Sequence, residues 1–177
     1  EGYFHARLLD HMRGDWAATI ARRYLYDTAD AIRLDALRTS SYEPLRELVA
    51  KIRREERYHL LHADTWLDRL ATTRGEPRRR LLDALEAMGP DAGTVLGPLP
   101  TELSLEMAGV LDATSAELDA RWRASIGATF ARLDLPMPPA EFRLACSSMR
   151  GRPSRACWRG SPASIRRARC FCPAASR

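Results

Sequence analysis

Residues 52–70, IRREERYHLLHADTWLDRL, contain a Glu-x-x-His pair, Glu56 and His59, inside an otherwise apolar helical pattern. On a 3.6-residue period this pair lies on one continuous face with eight apolar residues: Leu45, Leu48, Val49, Ile52, Leu60, Ala63, Leu67 and Leu70. The pattern therefore predicts a carboxylate and an imidazole that point into a helical bundle, where unpaired charge is costly. Either a metal ion, as in di-iron carboxylate bundles, or a network of polar side chains could satisfy them.

A second buried carboxylate is predicted on the preceding helix. Asp15 suits the N-cap of a helix over about 16–39, and Asp27 falls in the middle of its apolar face. Pro44 suits the first turn of the next helix, which continues into the segment quoted above. A short link between two helices of more than about twenty residues makes them antiparallel neighbours, so Asp27 and Glu56 can face each other.

The rest of the body also reads as helical. We predict a third helix over about 77–88 and a surface loop over 89–100, which holds three prolines and three glycines. Thr114 and Glu117 form a capping-box pattern that starts a helix to about residue 133. Because no strand pattern competes, the predicted fold class is all-α, a helical bundle dominated by an antiparallel pair of long helices.

Charge divides the chain into two parts. The formal net charge is +5, but residues 143–177 contain nine arginines and no acidic residue, while residues 1–142 hold 19 basic and 23 acidic residues. The tail also contains all four cysteines, at spacings unlike the paired ligands of a zinc site: Cys146, Cys157, Cys170 and Cys172. It has no helical or strand period, and its composition is typical of a GC-rich gene read out of frame. We therefore predict an irregular, disordered tail.

Several function classes are disfavoured by the same observations. Arginine outnumbers lysine 27 to 1, which indicates GC-rich coding and not a nucleic-acid surface. A nucleic-acid adaptor would depend wholly on the basic tail. No apolar run approaches the roughly eighteen residues of a membrane helix, so we predict a cytoplasmic protein without a membrane partner. No phosphate loop, Ser-His-Asp set or reactive thiol is recognisable.

Two runs carry a family resemblance: TIARRYLYD at 19–27 and EERYHLLHADTWLDRL at 55–70. They resemble the helix pair of the C component of bacterial phenylacetyl-CoA epoxidases, a ferritin-like family. The resemblance is strong over about 8–70, continues more weakly to about 141 through LDARWRASIGATFARLDLPMP, and stops where the tail begins. It implies a partial ferritin-like bundle over 1–142, without the family's amino-terminal helices, followed by the tail at 143–177.

The resemblance implies a structural role in a complex. In this family, the C component pairs with a related protein that holds a di-iron centre and epoxidises the aromatic ring of phenylacetyl-CoA. We therefore expect a hetero-oligomer in aerobic phenylacetate breakdown, with no cofactor in this chain and di-iron in the catalytic partner. The family's position that matches Glu56 is often not a carboxylate, which makes the Glu-x-x-His pair here a candidate relic of a shared ancestor.

Counting ligands favours the polar-network interpretation over a metal site. A complete di-iron site of this type needs two Glu-x-x-His motifs and a carboxylate from each of two further helices. Asp27, Glu56 and His59 supply at most half of that set. The rival hypothesis is a di-iron carboxylate oxidoreductase or iron-binding bundle in its own right, which would need the missing ligands. Trp66, Tyr58 and Arg57 are the candidate anchors for a partner subunit, with ordinary intrachain packing as the alternative for each.

Overall fold

A computed structural model describes residues 5–140, and within that range the chain is helical without strands. Five α-helices are connected by short turns: α1 (Trp16–Ala36), α2 (Glu43–Thr72), α3 (Glu76–Ala92), α4 (Glu102–Met107) and α5 (Ser115–Leu133). Two 3-10 turns, Arg7–Asp10 and Gly93–Leu96, complete the architecture. The all-α prediction is confirmed. The predicted tail at 143–177, with its four cysteines, lies outside the described residues.

Helix α1 is the centre of the bundle, because it packs against α2, α3 and α5. Its amino terminus is the predicted one: the Asp15 carboxylate accepts a hydrogen bond from the Ala18 backbone N–H at 2.9 Å. Pro44 lies in the first turn of α2, also as predicted. The two long helices are joined by the short segment 37–42 and lie side by side as the antiparallel pair that the sequence indicates. The pair holds the candidate site.

The predicted surface loop at 89–100 is only partly correct. Helix α3 continues through Gly89 and Pro90 to Ala92, and the 3-10 turn Gly93–Leu96 follows it directly. Val95 and Leu96 are both at most 3% exposed. Burying these side chains against the core stabilises a helical path that the Gly and Pro content alone disfavours. Irregular chain begins only at Gly97.

Arg78 ties the ends of two helices together. Its guanidinium donates hydrogen bonds to the backbone carbonyls of Ala71 at 2.6 Å, Leu133 at 3.0 Å and Asp134 at 3.0 Å. These carbonyls belong to the last turns of α2 and α5 or follow them, where they have no intrahelical partner. A cation at two helix carboxyl ends also interacts favourably with both helix dipoles. Arg78 therefore fixes α2, α3 and α5 relative to one another.

The capping box that starts α5 is present and provides a testable prediction. The Glu117 backbone N–H donates to Thr114 Oγ1 at 3.2 Å, and the Thr114 backbone N–H donates to Glu117 Oε2 at 2.8 Å. We expect Thr114→Ala to lower the free energy of unfolding by about 1 kcal/mol, measured by urea denaturation. Ser115→Ala is the matched control, since no side-chain hydrogen bond of Ser115 is seen within residues 5–140. Equal losses for the two variants would contradict the assigned cap.

Candidate functional site

The Glu-x-x-His pair lies on the second long helix, with the two side chains one turn apart. The His59 Nδ1 and Glu56 Oε1 atoms are 3.0 Å apart, so each side chain is the other's hydrogen-bond partner. Their side chains are 50% and 22% exposed, respectively. The prediction that both point into a buried core is therefore wrong for this chain, and His59 lies at the surface.

The reason is that only part of the predicted apolar face of α2 is covered. The buried residues of this helix are Val49, Ala63, Leu67 and Ala71. Side chains of α3 and α5 bond to α2 near its carboxyl end, at Asp68 and Ala71. Nearer the amino end, Leu48 is 51% exposed. A continuous helical stripe shows which residues share a face, but it does not show how much of that face a neighbour covers.

Asp27 is the buried carboxylate that the sequence predicts on α1. Its side chain is 9% exposed, and its Oδ2 accepts hydrogen bonds from Arg23 Nη2 at 3.0 Å and from Arg23 Nε at 3.2 Å. Burial raises the pKa of Asp27 above its usual value of 3.8, while the Arg23 guanidinium opposes that shift. Glu56 raises the pKa of Asp27 further and His59 lowers it. The three predicted residues therefore share one electrostatic environment across the α1–α2 interface.

Asp30 joins this group, and the sequence reasoning missed it. Burial raises its pKa, the Arg33 cation opposes the shift, and the negative charge of Glu56 adds to it. Asp30 Oδ1 lies 3.6 Å from Arg33 Nη1, and the Asp30 side chain is 23% exposed. Asp30 could have been found from the sequence, because it follows Asp27 by three residues on the same helix, and residues i and i+3 share a helix face.

These residues do not fit a di-iron centre within this chain. Among residues 5–140, no group of three or more His, Cys, Asp or Glu side chains is placed to hold a metal ion. Asp27 is bound by the Arg23 cation, and Glu56 is paired with the His59 ring. The observed arrangement is two separate polar pairs, each within one helix: Arg23 with Asp27 on α1, and Glu56 with His59 on α2. In chemical terms each pair offsets the cost of a partly buried carboxylate on its own helix.

The helix pair also carries an open groove of about 410 Å³ next to the Glu56 side. Small and apolar side chains contribute to its lining, and five arginines surround them. The lining residues are Ala31, Leu34, Arg38, Arg46, Ala50, Arg53, Arg54, Glu56, Arg57 and Leu60. The sequence reasoning singled out Arg57 but not the other four arginines. The signal was the recurrence of Arg46, Arg53 and Arg57 on one face of α2.

The three candidate partner anchors have different surroundings. Trp66 is half-buried and packs edge-to-face on Trp16, with ring centroids 5.2 Å apart, while the Arg69 guanidinium lies 5.1 Å from the Trp66 ring centroid. Trp66 therefore has intrachain packing partners, and its role in partner binding also stays a prediction. Tyr58 is 76% exposed and Arg57 is exposed at the groove. Their role in partner binding stays a prediction.

The helical bundle and its paired long helices define this chain as an all-α protein of the ferritin-like class. The family model described as "Phenylacetic acid catabolic protein" matches residues 1–152. The chain therefore belongs to the phenylacetic acid catabolic protein family.

Among curated proteins, the chain is similar to the C component of 1,2-phenylacetyl-CoA epoxidase from Escherichia coli (strain K12). The two are 26% identical over 135 residues, which is 75% of this chain and 54% of that relative. The chain thus spans about half the length of the curated relative that it matches. Within residues 5–140, no helix combines the length and apolar character needed to cross a membrane.

Proposed function

We propose that this chain is a non-catalytic structural subunit of a multicomponent phenylacetyl-CoA epoxidase. In this role it docks on a related di-iron subunit, and the α1–α2 pair supports the partner's helices. The family match and the similarity to the C component of such an epoxidase support this proposal. The single observation that carries the non-catalytic part is the pairing of the candidate ligands with protein groups, Asp27 with Arg23 and Glu56 with His59.

In this proposal, the residues of this chain act by stabilising the helix pair that docks on the partner. A buried carboxylate with a cation partner fixes the spacing of charged side chains on α1, because leaving either charge unpaired is costly. The arginine at the ends of α2 and α5 fixes the other side of the bundle. A rigid helix pair of this kind presents one face to a partner with little loss of conformational entropy on binding. Iron chemistry belongs to the partner in this proposal.

Co-expression with the related di-iron subunit of a phenylacetyl-CoA epoxidase tests the proposal. We expect the full chain to co-elute with that partner in size-exclusion chromatography, with iron at the stoichiometry of the catalytic partner alone. Glu56→Ala should change neither co-elution nor iron content. Failure of the wild-type chain to co-elute would reject the structural role.

The rival function is an iron-binding bundle in its own right, and one observation favours it. Glu56 raises the pKa values of both Asp27 and Asp30 across the α1–α2 pair, and these are residue types of a di-iron ligand set, although within residues 5–140 they are not placed together as a metal-binding group. The same preparation decides between the two functions. Iron in this chain purified alone, and lost on Glu56→Ala, would overturn the non-catalytic proposal and establish the rival.

A further inference from the structure

The groove beside Glu56 has the residue spacing of a helix-docking seam. Of its seven lining residues on α2, five recur at intervals of four and three: Arg46, Ala50, Arg53, Arg57 and Leu60. This heptad-like spacing keeps side chains in line along a helix and lets a neighbouring helix pack against them. From α1, Ala31 and Leu34 contribute two more lining residues three positions apart. The adjacent helices α1 and α2 thus line this one shallow groove with aligned rows of side chains.

Small side chains in the seam make room for an approaching backbone. Ala31 lies on α1 and Ala50 on α2, while Leu60 and the largely buried Leu34 are the larger apolar side chains of the lining. A third helix can pack into the groove between two others when its ridge of side chains meets such a channel. The distance along α2 from Arg46 to Arg57 is about 16 Å at 1.5 Å per residue, which corresponds to about three helical turns. The groove is therefore of the right length for a helix.

The charge of the seam indicates which kind of helix can bind in the groove. Intrachain groups satisfy several of its arginines: Asp35 is shared by Arg38 at 3.2 Å and Arg53 at 3.1 Å, and Arg46 lies 3.9 Å from Glu43. The Arg46 guanidinium also donates to the Ser40 carbonyl at 2.7 Å, and the one lining carboxylate, Glu56, is paired with His59. Arg54 donates to a backbone carbonyl of its own helix. Within residues 5–140, Arg57 has no ion-pair or hydrogen-bond partner. Arginine side chains in a packing seam require carboxylates on the incoming surface, because burying an unpaired cation is costly.

We propose that this groove receives an acidic amphipathic helix of the partner protein, with Asp or Glu side chains flanking an apolar stripe. The inference rests on the proposed function, because it locates the surface by which the chain docks. The stripe packs on the small and apolar side chains of the seam. The carboxylates pair with Arg57, which has no partner within residues 5–140, and with Arg53, which shares Asp35 with Arg38. Charge-assisted pairing between planar guanidinium and carboxylate groups also fixes the register of the incoming helix.

Two other occupants of the groove, residues 143–177 and a second copy of the chain, would bring like charges together. The segment 143–177 contains nine arginines and no acidic residue, so its sequence is electrostatically mismatched to an arginine-lined seam. A second copy docked by the same groove would place the arginines of one seam against those of the other. Like-charge contacts of this kind disfavour association. Charge complementarity therefore selects an acidic partner.

The test compares two double charge reversals of equal size in the full chain. Arg53→Glu/Arg57→Glu changes the groove, and Arg13→Glu/Arg74→Glu changes two exposed arginines outside it. In co-elution with the related di-iron subunit, the groove variant should bind at least about tenfold more weakly, and the control variant should match the wild type. Circular dichroism checks that each variant folds. Arg57→Glu alone is a second variant, and it removes no ion pair or hydrogen bond within residues 5–140.

A peptide experiment separates failure of this inference from failure of the proposed function. The probes are a helix-forming peptide with Glu flanking a leucine stripe and a matched peptide with Gln in place of every Glu. We expect the wild-type chain to bind the Glu peptide at least about tenfold more tightly than the Gln peptide, and the groove variant to lose that preference. If the wild type fails to co-elute with the di-iron subunit, the proposed function is rejected and the peptides still decide the chemistry of the groove.

Three results would overturn the inference. The groove variant could retain full binding, or the control variant could lose as much binding as the groove variant. A homodimer of the free chain that dissociates on Arg53→Glu/Arg57→Glu would instead assign the groove to a second copy. Light scattering on the free chain and on both variants detects that third result.

Discussion

Trp122→Ala is expected to lower the free energy of unfolding by about 3–5 kcal/mol, the range for removing a large aromatic side chain from a core. Trp122 lies on α5 and is fully buried. Its indole Nε1–H donates to Thr28 Oγ1 on α1 at 2.9 Å, and Thr28 Oγ1 donates in turn to the Tyr24 carbonyl at 2.6 Å. The substitution therefore opens a cavity between two helices and removes a hydrogen bond that joins them. Because domains are stabilised by only about 5–15 kcal/mol in total, the loss is a large fraction.

Urea denaturation, monitored by circular dichroism, measures this effect. Two further variants serve as comparisons for its size. Trp122→Phe keeps an aromatic ring in the core but loses the donor to Thr28, so we expect a smaller loss. Trp16→Ala removes a tryptophan that is 47% exposed and should cost the least of the three. If Trp122→Ala and Trp16→Ala destabilised the protein equally, α5 could not pack on α1 as described.

Arg23→Met is expected to lower the free energy of unfolding by about 2–3 kcal/mol near neutral pH, because it breaks a partly buried ion pair. The substitution leaves the Asp27 carboxylate, which is 9% exposed, without its cation partner. Breaking a fully buried ion pair costs about 3–5 kcal/mol, but the Arg23 side chain is 40% exposed, and solvent screens part of the interaction. The methionine retains much of the apolar volume of the arginine stem, which isolates the effect of the charge.

The pH dependence of this loss has a defined sign. The pKa of Asp27 is already raised above 3.8 by burial, and removing the Arg23 cation raises it further. Between the unfolded and the native pKa the folded state binds more protons, so stability falls as pH rises through that window. We therefore expect the Arg23→Met loss to be fully present above the native pKa of Asp27 in the variant. It should have disappeared below the native pKa of Asp27 in the wild type, which lies above 3.8. Urea denaturation over a series of pH values measures it.

Two further variants test the assignment to Asp27. Adding Asp27→Asn to Arg23→Met removes the buried charge, so it should recover stability at neutral pH and flatten the pH profile. Arg33→Met breaks the pair with Asp30, whose side chain is 23% exposed, and should cost less than Arg23→Met. A pH profile of Arg23→Met that matched the wild type would show that Asp27 does not depend on Arg23.

Features decided by local interactions could be predicted from the sequence. The N-cap at Asp15, the proline in the first turn of α2 and the capping box at Thr114 are all made between residues a few positions apart. The burial of Asp27 also followed from its place on an apolar helix face. These features depend on backbone geometry that neighbouring residues fix, and a single helix carries the necessary pattern.

The candidate site shows where pattern alone was insufficient. The period of α2 placed Glu56 and His59 on the apolar face, but the side chain of His59 is half exposed because α3 and α5 reach mainly the other end of that helix. The same pattern missed Asp30 and the arginine-lined groove. Periodicity reports which side chains share a face, whereas burial depends on which other elements cover that face.

The sequence by itself thus determined the all-α class, the paired long helices, their capping residues and the family. The tertiary structure decided that α3 runs on to Ala92, that Arg78 joins two helix ends, and that the side chain of His59 lies at the surface. Caps and helix periods are short-range properties, encoded within one or two turns. Burial, long-range hydrogen bonds and pKa shifts arise only when separate helices pack, because they depend on distances that the local sequence does not fix.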